Sequence, residues 1–331
     1  MYRLAFAAPA AIIVALVAVV ASLAIGAQEI PPADVWAAFV DYDPANASHQ
    51  IVRDLRVDRT VIGIAAGAAL AVAGALTQSL TRNPLADPGL LGLNAGAALA
   101  IVLGTVVAGV GSFAPQILLA FMGAAVAGLV AYGVGATGAG AAAPARLVLA
   151  GAAVTALLTA VTSAIVVAQP FALNQLRFWL AGSLTGRAGV PTGPLVVGIG
   201  LTILVALLAV RPLSAIALGD DAAASLGTRA GLTRVHVLVT VIALAGVATA
   251  LAGPIAFVGL AVPHLVRALV GPRIGWLLVL SIPFGAAVVL LCDVAGRIVA
   301  RPGEISVGVT TALLGGILLA LLARRMRAVA P

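Results

Sequence analysis

The chain has 331 residues, 63% of them hydrophobic and 9% charged, with a mean hydropathy of +1.20 and a formal charge of +7. A soluble protein of this length carries roughly 25% charged residues, so a water-soluble domain is excluded. Lipid admits only helices and closed barrels, and the long continuous apolar runs do not alternate as barrel strands do. What remains is an all-α polytopic membrane protein. Every basic residue is arginine, and the arginines lie at the ends of apolar runs, where they orient helices. The positive charge therefore gives no reason to expect nucleic acid.

Taken in order, charges, prolines and glycines cut the chain into ten crossings of about 20 residues each. They are predicted at 5–26, 60–80, 90–108, 114–134, 146–168, 191–210, 234–252, 255–269, 273–298 and 306–323, within a single transmembrane domain over 1–331. The charge-free run Leu4–Gln28 covers 25 residues. That exceeds a signal-peptide core of about 7–15 residues, so the first run reads as a retained helix. After it, Arg53, Arg56 and Arg59 recur every third residue before the second crossing. On a helix they share one side, and Asp54 and Asp58 stand ready to pair with them locally.

Thr60–Thr81 is uncharged, and so are the 58 residues Pro88–Ala145. Between these runs sits Arg82-Asn83-Pro84-Leu85-Ala86-Asp87-Pro88, a polar, proline-punctuated turn. A plain connection could manage with Gly and one polar residue, so this turn carries a task at the membrane boundary. Residues 170–188 read as a short helix lying at the surface. Leu218–Gly227 reads as another short helix, with Asp220 and Asp221 capping its start and Gly227 as its left-handed stop. Farther on, Pro254 suits a helix start and Pro263 interrupts the eighth crossing. Asp293 is the only acid inside an apolar run, four residues before Arg297. His49, His236 and His264 read as structural hydrogen-bonding residues, and the single Cys292 as packing. Ten crossings put both termini on one side. Placing them inside leaves eleven arginines on the inner face and seven on the outer, as the positive-inside bias requires.

The ordered series Arg56–Arg59, Arg82–Gly92, Trp179-Leu180-Ala181-Gly182-Ser183, Leu218–Gly227, Gly253–Arg267, Asp293, Arg297, Glu304 and Val307–Ala312 resembles the FecCD-type permeases. These are the membrane subunits of type II ABC importers for ferric siderophores, haem and cobalamin. The resemblance runs from about residue 53 to 325. It implies a ten-helix permease fold in a bacterial cytoplasmic membrane, with both termini cytoplasmic and a second permease subunit, identical or paralogous, across the path. Two cytoplasmic ABC ATPases, which bind the ATP and Mg, would grip Gly219, Asp220, Asp221, Ala222, Ser225, Leu226 and Gly227. An extracytoplasmic substrate-binding protein would dock through its acids onto Arg56, Arg59 and Arg297. The inner gate would comprise Asn83 and Leu85 with the loop at about 142–145, including Pro144 and Ala145. No cofactor, metal or catalytic residue is implied in this chain.

The sequence departs from the family pattern at Asp58 and Ser306, where Pro is usual, at Gly315–Leu319, and in the Gly/Ala-only loop 136–145. The reading is a permease for an iron chelate, a ferric siderophore ahead of haem or cobalamin. An ion-coupled secondary transporter would need intramembrane acids in both halves, and only Asp293 qualifies. A membrane scaffold would need neither the docking helix nor the outer arginines.

Overall fold

The computed structural model describes residues 2–136, 144–186 and 192–327. Helix α1 (Tyr2–Ala24) leads through α2 (Pro32–Val40) and α3 (Ala47–Gln50) into a single π-helical stretch at Ile51–Arg56. This stretch continues into α4 (Val57–Thr81). A turn and a 3-10 segment (Pro88–Leu91) connect to α5 (Leu93–Ala108), α6 (Phe113–Gly135), α7 (Pro144–Ala168) and α8 (Pro170–Leu180). Then come α9 (Thr192–Leu208), α10 (Val210–Ala217), α11 (Asp220–Ser225) and α12 (Ala230–Ala252). The chain finishes with α13 (Val258–Val270), α14 (Ile274–Val299) and α15 (Val307–Arg327).

Among the described residues six helices are long and apolar enough to cross a membrane. The pair α9 and α10, bent by 42°, gives a seventh, and α5, α13 and α15 are shorter apolar helices. Each of the ten predicted crossings thus has its helix.

α4 forms the centre of the bundle, with 89% of its most apolar stretch buried, against 17% for α7. Lipid gives no hydrophobic drive between helices, so close backbone approach must supply the attraction. Glycine permits that approach. A Cβ on Gly67 would lie 2.3 Å from the Gly285 carbonyl of α14, and one on Gly74 would lie 1.9 Å from the Gly259 carbonyl of α13.

Two sequence expectations need correction. α13 begins at Val258 rather than near Pro254, because Gly253 (φ 73°) ends α12 and the chain passes 253–257 without helix. This stretch packs tightly on the segment around Gly182, where the Pro254 carbonyl would touch any added Cβ at 2.7 Å. Pro263 does not interrupt α13. Proline lacks the N–H that would bond the carbonyl four residues back, here Gly259, and the Gln78 side-chain amide donates to that oxygen instead, at 3.3 Å. α8 is the expected short helix with an exposed face: Phe171, Leu173, Arg177 and Leu180 are exposed, while Ala172, Leu176 and Trp179 are buried in the main core.

Candidate functional site

At the first end of α4, arginines donate to carbonyls at and just past the C-terminus of α1. Arg56 donates from Nη1 to the Leu23 and Ala24 carbonyls and from Nη2 to Gln28, each at 2.8 Å. Arg297 donates from Nη1 to the carbonyls of Ser22 (2.9 Å) and Ile25 (2.7 Å). Both cations therefore stand at the C-terminus of α1, where the helix dipole and the free carbonyls favour positive charge.

Asp293 holds this group together. Its carboxylate accepts from Arg59 Nη2 at 2.7 Å and Nε at 2.9 Å, and from Arg297 Nε at 3.0 Å as well as Nη2. Glu304 takes the remaining Arg59 nitrogen, Nη1, at 2.8 Å. The three arginines expected to form a docking patch are thus brought together, but largely inside the protein: Arg56 is 4% exposed and Arg297 1%. They line an open depression of about 370 Å³, together with Gln28, Leu55, Thr185 and Glu304. Arg53 leaves the group. The π-helical turn takes an extra residue per hydrogen-bonded ring, and Arg53 lies over the Tyr42 ring, 4.5 Å from its centroid. The partners of Arg59 come from far along the chain and not from Asp54 or Asp58.

Arg59 and Arg82 are 23 residues apart, about 35 Å along a continuous helix. At the Arg82 end, Gln78 fixes α4 to α13 by donating to Gly259 and Leu260 (3.2 Å) and accepting from Arg267 Nη1 at 3.1 Å. Arg82 then adopts the left-handed conformation, φ 50°, and starts the turn. The turn is held by its own polar atoms. Asn83 Oδ1 accepts the Leu85 N–H at 2.9 Å, the Asn83 carbonyl accepts from Ala86, and Asp87 Oδ1 accepts the Gly89 N–H at 2.8 Å. Asn83 and Leu85 face outward from the protein, Leu85 with 44% exposure. Burial raises the Asp87 carboxyl above its ordinary value, while the Gly89 N–H pulls it the other way.

α7 packs against the 3-10 segment so closely that a Cβ on Gly151 would meet the Leu90 carbonyl at 1.9 Å. The first turn of α7, which begins at Pro144, therefore belongs to the same end of the bundle. Residues 137–143 lie outside the described residues, as do the side chains of Pro144 and Ala145.

The predicted short helix is α11. Gly219 precedes it at φ 117°, and Gly227 ends it at φ 75°. Thr228 N–H bonds to the Ala223 carbonyl and Gly227 N–H to that of Ala224, both at 2.9 Å, the paired bonds of a glycine stop. Ala223 is buried against Ala215 and Ile216 of α10. Asp221, Ala224, Ser225, Leu226 and Gly227 are exposed, as is Leu218, and both leucines are more than half bare. The aspartates do not cap the helix amides as expected. Asp220 instead pairs with Arg234 Nη2 at 2.9 Å and Arg82 Nη2 at 3.5 Å, because two cations outbid a neutral amide for one carboxylate.

Among the histidines, His49 Nδ1 accepts the Asp43 N–H at 3.0 Å, and His236 Nε2 lies 3.2 Å from the Val205 carbonyl. Cys292 is buried.

Comparison with known proteins places this geometry. The FecCD transport family matches residues 13–325. Over 321 residues the chain is 43% identical to the ferric enterobactin transport system permease protein FepD of Escherichia coli (strain K12), covering 97% of this chain and 96% of that one. It is 36% identical over 308 residues to the iron(3+)-hydroxamate import system permease protein FhuB of Bacillus subtilis (strain 168), covering 92% and 79%. A solved inward-facing conformation of a metal-chelate type ABC transporter superposes with a TM-score of 0.83 at 25% identity, over 96% of this chain and 98% of that one.

Proposed function

The chain belongs to the FecCD transport family, and on that footing we propose that it is the permease subunit through which an ABC importer moves a ferric siderophore across a bacterial cytoplasmic membrane. The end-to-end likeness to a ferric enterobactin permease carries the reading. A permease of this kind is a transport subunit and not an enzyme. ATP and Mg belong to its partner ATPases.

In this reading the two ends of α4 serve opposite faces of the membrane. Two ATPases seat on the cytoplasmic face of a permease dimer, one against each α11, where Leu218 and Leu226 stand bare at 72% and 65% exposure. Large apolar side chains projecting into water beside a polar helix mark a surface that a protein covers. Gly219–Gly227 is that seat, with Asp221, Ala222, Ser225 and Leu226 on it. The path runs between two permease copies or paralogues. Its inner gate is built from Asn83 and Leu85 with the start of α7 at Pro144 and Ala145.

On the outer face, the binding protein docks over the depression lined by Arg56, Arg59 and Arg297. Two of the three arginines are committed to α1, so docking acts through Arg59. An incoming carboxylate displaces Glu304, whose side chain is 32% exposed and replaceable, whereas Asp293, 1% exposed, stays. Asp58, where the family usually has Pro, is not among the acids that pair with Arg59.

The test is uptake of radio-iron-labelled ferric enterobactin, a ferric hydroxamate, ferric citrate, haem and labelled cobalamin by a strain lacking this chain. Loss of a ferric siderophore is the expected result. Unchanged uptake of all five would sink the proposal, and selective loss of haem or cobalamin would redirect it.

A further inference from the structure

Arg82 sits where glycine would be cheaper. The left-handed backbone costs an L-residue roughly 1–2 kcal/mol that glycine avoids, and α4 could end on glycine as α12 does. What an arginine adds is its side chain, and that side chain reaches across to the joint between α10 and α11. One nitrogen, Nη2, donates to the carbonyl of Ile216 in the last turn of α10 and stands 3.5 Å from Asp220 Oδ1, the first residue of α11. Between these two partners lie Ala217, Leu218 and Gly219, with Gly219 at φ 117°. The guanidinium therefore holds both sides of the hinge by which α11 is attached. The ion pair is exposed, 47% on Arg82 and 55% on Asp220, so taken alone it contributes little. Its leverage comes from where its two ends are rooted. Asp220 is also bonded to Arg234 of α12. Arg82 lies one residue before Asn83 and four after Gln78, which is fixed to α13.

We propose that Arg82 is a positioning residue that transmits displacement of α11 to the turn Asn83–Leu85, so that ATPase movement and the inner gate are joined by one side chain. The inference rests on the reading of α11 as the ATPase seat and of this turn as the gate. A rigid connection of this sort has to be demonstrated as an energetic coupling, since adjacency alone is not one.

The whole complex, permease dimer with ATPases and binding protein, is reconstituted with Leu85→Cys as a reporter. The one native thiol of this chain, Cys292, is buried, and the partner proteins are used in cysteine-free form. Reactivity toward a hydrophilic maleimide is followed with and without ATP, alone and with Arg82→Gln, Asp220→Asn or both. Uptake per ATP hydrolysed is measured in parallel without the reporter, using whichever of ferric enterobactin, a ferric hydroxamate or ferric citrate the unmodified complex imports. The expected result is a nucleotide-dependent change at position 85 that each single substitution suppresses. Uptake per ATP should fall roughly five-fold or more, the lower end of coupling between linked sites. The ATPases should still co-purify with Arg82→Gln, which lies outside their seat, and the double variant should be no worse than the poorer single one. The link is overturned if labelling responds to nucleotide equally in Arg82→Gln, if the two losses simply add, or if Arg82→Gln releases the ATPases. A complex that shows the labelling change but imports none of the three chelates contradicts the functional reading and leaves the link standing.

Discussion

Asp293 is the residue on which the outer end of the bundle turns. It accepts from two guanidiniums, and neither Arg59 nor Arg297 has a second buried acid to fall back on among the described residues. Removing one partner of a buried ion pair typically costs about 3–5 kcal/mol, because the other charge is left uncompensated. Asp293→Asn should therefore lower the thermal midpoint of the detergent-purified protein sharply. Glu304→Gln, at a half-open position, should change that midpoint little, within the ~1 kcal/mol of exposed pairs, while tightening the binding protein. Equal melting of both variants would show that the two acids are not divided into a structural and an exchangeable one.

The sequence shows Asp293 four residues from Arg297, and that pair forms. It does not show that Arg59, 234 residues away, shares the same carboxylate. That depends on how α4 and α14 are set against each other, which no local pattern encodes. Nor does spacing show that Arg56 spends its donors on α1.

At the scale of helices, the apolar runs were readable because lipid demands length and hydrophobicity from any crossing. The glycine stop of α11 was readable too, since the left-handed residue is chemically marked. The start of α13 was not. Pro254 carries a helix-start signal, but the tight fit of residues 253–257 beside Gly182 and Gly308 prevails over it. The intact passage through Pro263 was equally hidden, because its compensating donor, Gln78, comes from another helix. The small residues of α4 matter for the same reason. Gly74→Val would drive a side chain into the Gly259 backbone, whereas Gly198→Val meets nothing within 4 Å. The first should reduce the yield of folded, membrane-inserted protein several-fold and the second should not. Comparable yields on fluorescence-detected gel filtration would remove close helix approach as the basis of this bundle.

In the whole molecule, α4 joins two sites with different duties. At one end Arg56 and Arg59 stand with Arg297 of α14 around the depression. The other carries the turn that Gln78 holds to α13 and Arg82 holds to α11. The resemblance visible in the ordered motifs gives both ends a place in an importer, and the family match over residues 13–325 establishes the membership. Within the segment Gly315–Leu319, Gly315 receives the Phe257 ring, where an added Cβ would lie 2.2 Å from its atoms.

The most direct test places the permease in proteoliposomes with its ATPases and binding protein, ATP on the ATPase side and labelled ferric siderophore on the other. The account predicts accumulation that stops when the ATPases are replaced by a hydrolysis-deficient variant and that ignores collapse of proton and sodium gradients. Accumulation that survives the inactive ATPase but fails when an ion gradient is collapsed would contradict it.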